Sequence, residues 1–273
     1  MIACRSQSEI DKLRRVNQLV GRILADLRAM VAPGVTTHEI DARAEARVRE
    51  AGAEPAFKGY HGYPATICAS LNEQVVHGIP SSRVLEPGDI VSIDAGAEFE
   101  GWNGDSAFTA VVPDAARPSV VEERLELSRV TEGSLWAGIA ALATARHLGE
   151  VGAAVQDYID ASGHGYGILR EYVGHGIGRK MHESPSVFNY RVADPGAEVR
   201  PGLAVAIEPM VVIGDQETFI EDDDWTVSTL DGTAGSHWEH SVAVHDGGIW
   251  VLTAPDGGAA GLAPFGVIPR EIG

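Results

Sequence analysis

Residues 90–112 read IVSIDAGAEFEGWNGDSAFTAVV: an apolar run, a Glu-Gly turn and a second apolar run, with one aspartate in each. The β-branched residues predict two strands, and Glu100-Gly101 predicts a two-residue hairpin loop between them. That loop sets Phe99 opposite Trp102 and Gly96 opposite Asp105, which leaves Asp94 diagonal to Asp105 on one face of the sheet. Two carboxylates about 7 Å apart at Cβ, flanked by Val91, Ile93, Val111 and Val112, repel each other and lose hydration together. A divalent cation, or a pair of them, compensates both costs. Two solvated aspartates near a hairpin end are the alternative for this stretch taken alone.

Further donors stand in comparable surroundings elsewhere in the chain. YVGHGIGRKMHESP sets His175 and His182 among glycines that permit close backbone approach. LAVAIEPMVVIG carries Glu208 inside an otherwise uncharged run, where a carboxylate needs a partner and the run offers no Lys or Arg. HWEHSVAV opens a strand-like alternation with Glu239 near its head. Taken singly, His175 also suits a loop histidine and Glu239 a solvated strand end. Taken together, Asp94, Asp105, Glu208, Glu239 and His175 balance two divalent ions in charge. A pair of ions held mostly by oxygen ligands is a site for hydrolysing an ester or an amide.

The chain resembles the type I methionine aminopeptidases, metallopeptidases of the pita-bread fold. The resemblance runs from about residue 8 to residue 251. It rests on GYHGYPATICASLNEQVVHGIP (59–80), GDIVSIDAGAEFEGWNGDSA (88–107), GHGIGRKMHESP (174–185), IEPM (207–210), DDWTV (223–227) and HWEHS (237–241), in that order. It implies an α+β protein, a pseudo-two-fold antiparallel sheet with helices on its outer face around a central dinuclear metal site. It also implies roles. Asp94 holds one metal, His175 and Glu208 the other, and Asp105 and Glu239 bridge them. Glu208 shuttles the proton, His77 hydrogen-bonds the substrate and His182 steadies the carbonyl oxygen. Tyr60, Tyr63, Cys68, Trp225 and Met181 line the methionine pocket, with Met181 where several relatives carry an aromatic. The implied cofactor is two divalent ions, of cobalt, manganese, iron or zinc.

The implied reaction is removal of the N-terminal methionine from nascent proteins and peptides with a small second residue. The alternatives are an X-Pro aminopeptidase or prolidase of the same fold, and a pita-bread protein that binds without catalysis. His240 in WEHS suits the methionine enzymes, and no additional N-terminal domain of the proline-specific kind is expected. The short interval between Glu208 and Glu239 leaves no room for the insertion that marks type II relatives.

A net charge of −18 argues against nucleic acid as substrate. With N-termini of nascent chains as partners, docking near the ribosomal exit tunnel needs a local basic patch. Lys12, Arg14, Arg15 and Arg22 supply a candidate, and a solvated helix face is the other reading of them. Only two cysteines occur, Cys4 and Cys68, so no disulfide framework is expected. The charged start lacks a signal core and no run is long and apolar enough for a membrane span, so a cytoplasmic monomer without membrane contact is expected.

Ser8 with Asp11 predicts the start of a first helix, along which Ile10, Leu13, Val16, Val20, Ile23, Leu27 and Met30 repeat at helical spacing before Pro33-Gly34 ends it. Thr36 and Glu39 form a capping box for a second helix ending near Gly52. Strands are predicted over 64–70, 74–77, 203–213, 225–230 and 239–252, and helices over 119–145 and 149–162. Residues 1–253 are taken as the catalytic domain. Residues 254–273, rich in Gly, Ala and Pro, are taken as an irregular tail that Phe265, Val267 and Ile268 anchor.

Overall fold

The hairpin forms in the register its turn dictates. A computed structural model describes residues 2–272. In it, strands Ile90–Phe99 and Trp102–Val111 pair antiparallel, with Phe99 opposite Trp102, Gly96 opposite Asp105 and Asp94 opposite Ala107. Glu100 and Gly101 both take positive φ, 53° and 75°, as the type I′ turn matching strand twist requires.

This hairpin is the middle of a nine-stranded antiparallel sheet. From one edge the strands run Glu54–Pro55, Ile90–Phe99, Trp102–Val111, Glu239–His245, Ala204–Ile207, Gly174–Gly176 and Glu183–Val187. Ile67–Leu71 also pairs with Ile90–Phe99, and Gly248–Val251 with Glu239–His245. Helix α1 (Gln7–Arg28) buries Ile10, Leu13, Val16, Val20, Ile23 and Leu27 in one stripe, whereas Met30 falls beyond its end. Its cap is Ser6, whose N–H donates to Glu9 at 2.9 Å, two residues before the predicted start. Ser6-x-x-Glu9 satisfies two free donors reciprocally, which the Ser8–Asp11 pair does not. Helix α2 (Thr37–Glu50) starts at the Thr36–Glu39 capping box as predicted. Helices α3 (Pro118–Leu142) and α4 (Gly149–Ala161) join the core through Leu127, Val130, Val155 and Ile159.

Two predicted strands are each divided. Within 203–213 the chain makes strand Ala204–Ile207, breaks at Glu208-Pro209, and resumes as Met210–Val212 in a separate three-stranded sheet with Gly235–His237 and Gly167–Ile168. Proline lacks the N–H that the ladder needs, so the strand leaves the main sheet there. Within 239–252 a turn at Asp246-Gly247 makes a hairpin of Glu239–His245 and Gly248–Val251. The strands predicted over 64–70, 74–77 and 225–230 are shorter, Ile67–Leu71, Gln74–Val76 and Val227–Thr229.

Residues 254–272 carry a short helix, α5 (Ala259–Leu262). Leu262 and Ile272 are its buried anchors. Phe265 and Val267 are half-buried, and Ile268, predicted as an anchor, is 76% exposed. Among the described residues no helix is long and apolar enough to cross a membrane.

The two faces of the sheet have separate uses. Ser106, Phe108 and His240 meet Leu24 and Arg28 of α1 and Trp136 of α3 on one face. Asp94, Asp105 and Glu239 open onto a cavity of about 180 Å³ on the other.

Candidate active site

Strand alternation delivers the carboxylates. Asp105 lies beside Glu239 because Ala107 pairs with Glu239 and Ser106 with His240. Two serines lock these strands together: Ser106 Oγ donates to the Glu239 carbonyl at 2.6 Å and Ser241 Oγ to the Asp105 carbonyl at 2.9 Å. The Asp105 N–H donates to Asn17 Oδ1 of α1 at 3.2 Å. Asp94 stands on the neighbouring strand, opposite Cys68 in register. Glu208 sits at the break before Pro209, and Asn189 Nδ2 holds its carbonyl at 3.0 Å, so only its side chain faces the cavity. His175 arrives on Gly174–Gly176, where a Cβ on Gly174 would stand 2.4 Å from the Ala206 carbonyl oxygen. Only glycine lets that strand close against its neighbour.

The five residues converge. His175 Nε2 is 3.4 Å from Glu208 Oε1 and 3.8 Å from Asp105 Oδ2. His175 Nδ1 is 3.0 Å from the Gly176 carbonyl. That contact assigns the proton to Nδ1 and leaves the Nε2 lone pair facing the carboxylates, the arrangement of a metal-ligating histidine. Asp94 Oδ1, Asp105 Oδ1 and Glu239 Oε1 are buried without a hydrogen-bond partner. Among the described residues, no Lys or Arg lines the cavity. Burial pushes the Asp94 and Glu208 carboxyls up to about 7. It raises Asp105 and Glu239 well above the usual carboxylate range, and their acidic neighbours raise them further. Buried, partnerless oxygen donors around one imidazole fit a divalent metal, which supplies the missing positive charge.

Of the remaining predicted residues, Tyr60, Tyr63, Cys68, His77, His182 and Trp225 line the same cavity and Met181 does not. His182 lies against His175, the rings tilted 54° to each other with centroids 4.3 Å apart, and its Nδ1 is 3.0 Å from Tyr60 Oη. His77 takes a positive φ of 60° just past its strand and faces the same cavity, together with Cys68 and Trp225. Its pKa is lowered to about 4 by burial and by His237. Tyr63 and Trp225 meet edge to face at 5.1 Å. Met181 is buried, with its methyl group against the Gly96 backbone beside Phe57.

Four residues escaped the sequence reading: Phe57 and Val76 in the pocket wall, Asn17 behind Asp105, and His237 beside Glu208. His237 had a weak signal, two residues before Glu239 in an extended stretch, although the two end and begin different strands. Asn17 had none beyond its place on the apolar stripe of α1.

A model of metallopeptidase family M24 matches residues 11–246. The chain belongs to that family. Relatives 37–44% identical over most of the chain are methionine aminopeptidases. Methionine aminopeptidase 1 of Mycobacterium tuberculosis is 44% identical over 254 residues, which span 91% of this chain and 94% of that protein. The crystal structure of methionine aminopeptidase from Thermotoga maritima superposes with a TM-score of 0.87 at 37% identity, covering 93% of this chain and 99% of that one. An Xaa-Pro dipeptidase from Bacillus anthracis shares the fold alone, with a TM-score of 0.69 and 24% identity over 62% of its length. As an M24 metallopeptidase the chain has the curled antiparallel sheet, the outer helices and the acidic cluster the resemblance implies.

Proposed function

We propose that this chain is a methionine aminopeptidase that removes N-terminal methionine from nascent proteins and peptides whose second residue is small. The observation that carries this is the cluster of buried Asp105, His175 and Glu239 with half-buried Asp94 and Glu208, opening onto a cavity with Tyr63, Cys68 and Trp225 in its wall. Methionine is unbranched, apolar and polarizable, which suits such a narrow aromatic and sulfur-lined pocket. Tyr60 completes the pocket in this reading, and Met181 backs it beside Phe57. The kinship to methionine aminopeptidases supports the same substrate.

Asp94 would hold one divalent ion, His175 and Glu208 a second, and Asp105 and Glu239 both. Cobalt, manganese, iron and zinc all accept this donor set. Divalent ions held there would lower the pKa of water and polarise the scissile carbonyl. Glu208 takes the proton of the attacking water and passes it to the departing amine. Burial lowers the pKa of His182, which makes it a neutral donor for the carbonyl oxygen once Tyr60 Oη donates to Nδ1. His77, neutral for the same reason, hydrogen-bonds the substrate beside the scissile amide. The free α-amine sits near Asp94, which restricts cleavage to chain ends.

The same reading makes residues 1–253 the catalytic unit of a cytoplasmic monomer, with 254–273 as its tail. Lys12, Arg15 and Arg22 are exposed on α1 and Arg14 is half-buried, the patch through which it would meet the ribosome. The test is methionine release from Met-Ala-Ser after chelation and after adding back each metal. Activity restored by metal, with an X-Pro peptide left intact, is expected; cleavage of the X-Pro peptide instead would transfer the chain to the proline-specific branch.

A further inference from the structure

Glu208 is bracketed by two imidazoles. His175 Nε2 faces Glu208 Oε1 at 3.4 Å, and His237 Nε2 faces the other oxygen, Oε2, at 3.6 Å. His237 is 2% exposed, and its Nε2 is buried with no hydrogen-bond partner. Its backbone is already spoken for. The N–H donates to Ser92 Oγ at 3.1 Å and Thr109 Oγ1 at 3.0 Å, and the carbonyl accepts from Thr109 Oγ1 at 2.8 Å. The residue is therefore pinned while its Nε2 points, unpaired, at a carboxylate.

The spacing decides what that nitrogen does. A hydrogen bond from a ring N–H to a carboxylate spans about 2.7–3.2 Å. Two donors on one ion, each about 2.0–2.2 Å from it, lie about 3.0–3.6 Å apart. The His237–Glu208 separation matches co-ligands, as the His175–Glu208 separation does. Donor atoms of Glu208, His237 and Glu239 lie within 4.8 Å of one another, and so do those of Asp105, His175 and Glu239. Two overlapping triads thus share Glu239, each with its own histidine.

We propose that His237 is a direct ligand of the metal centre, a sixth residue beyond Asp94, Asp105, His175, Glu208 and Glu239. This rests on the metallopeptidase reading of the cluster. A second imidazole moves the donor set from oxygen toward nitrogen, which favours cobalt and zinc over manganese.

Nuclear magnetic resonance of the full chain with ¹⁵N-labelled histidine tests this directly during titration with zinc. The ring-nitrogen resonances of two histidines are expected to move to coordinated positions, one absent from His175→Gln and the other from His237→Gln. Calorimetry of His237→Gln should show cobalt and zinc bound more weakly by at least the roughly 10–100-fold that losing an outer-sphere partner costs, with a smaller loss for manganese. Coordination through a single histidine, or unchanged zinc affinity in His237→Gln, overturns the proposal and leaves the metallopeptidase reading standing. A chain that binds no divalent ion overturns both. The wild-type count stands on its own should His237→Gln fail to fold.

Discussion

His182 shows how one side chain acquires a task from its neighbours. Its Nδ1 is occupied at 3.0 Å by Tyr60 Oη, and burial keeps the ring neutral, so Nε2–H is the donor left for a substrate oxygen. Charge grows on that oxygen only as the tetrahedral intermediate forms, so the interaction belongs to the transition state. His182→Ala should lower kcat on the order of 100-fold with a much smaller rise in KM. Steady-state kinetics on Met-Ala-Ser with saturating metal checks this, and an unchanged kcat removes His182 from the chemistry. At this scale the sequence was most legible. A buried carboxylate without a partner is costly wherever it lies, so Glu208 in its uncharged run already called for a cation. Phe57, by contrast, is one apolar residue among many, and nothing local marks it as a pocket wall.

Among the elements, α1 and the hairpin depend on each other through one glycine. A Cβ on Gly104 would lie 3.0 Å from the Val16 carbonyl carbon and 3.1 Å from the Asn17 backbone. Asn17 accepts from the Asp105 N–H on that same stretch. Gly104→Ala should push α1 outward and destabilise the protein by about 1–3 kcal/mol. Turnover should fall too, because Asp105 moves with its strand. Urea unfolding with parallel activity measurements tests this; wild-type stability would mean that α1 shifts without resistance. The periodicity of α1 named its buried face, yet Asn17 on that face reads as an ordinary polar interruption. Its role exists only once the hairpin packs against it. The strand breaks followed a similar pattern. Pro209 was visible as a ladder breaker, but the sheet joined by Met210–Val212 depends on Gly235–His237, far along the chain.

At the scale of the whole molecule, the acidic cluster couples metal to stability. In the unfolded chain these carboxyls titrate near about 4; in the metal-free fold Asp94 and Glu208 titrate at about 7. Between those values the unfolded chain has released its protons and the fold has not. Each step up in pH therefore weakens the metal-free fold, and the loss is complete above the folded values. Chelated protein should melt several degrees lower at pH 8 than at pH 5, at about 2–4 °C per kcal/mol for a chain somewhat shorter than this one. Manganese or cobalt should restore more at pH 8, since a cation stabilises the ionised form and competes with protons for it. Thermal melts of the chelated and reloaded protein at the two pH values measure both effects. A metal-free melting temperature that does not change with pH would remove the cluster as a source of instability.

What the sequence alone determined was whatever depends on near neighbours: the two-residue Glu100-Gly101 hairpin and its register, the Thr36 capping box, the apolar stripe of α1, and the candidacy of five acidic or imidazole groups in surroundings that call for a partner. Those are consequences of side-chain periodicity, turn geometry and desolvation, and they act over a few residues. Only the tertiary structure decided the rest. It placed Asn17 behind Asp105, divided residues 203–213 between two sheets, fixed Leu262 and Ile272 as anchors of the tail, and set His237 opposite His175 across Glu208. Each of these joins residues distant in the chain through packing that no local pattern encodes, because side-chain contact is settled by the shape of the whole core.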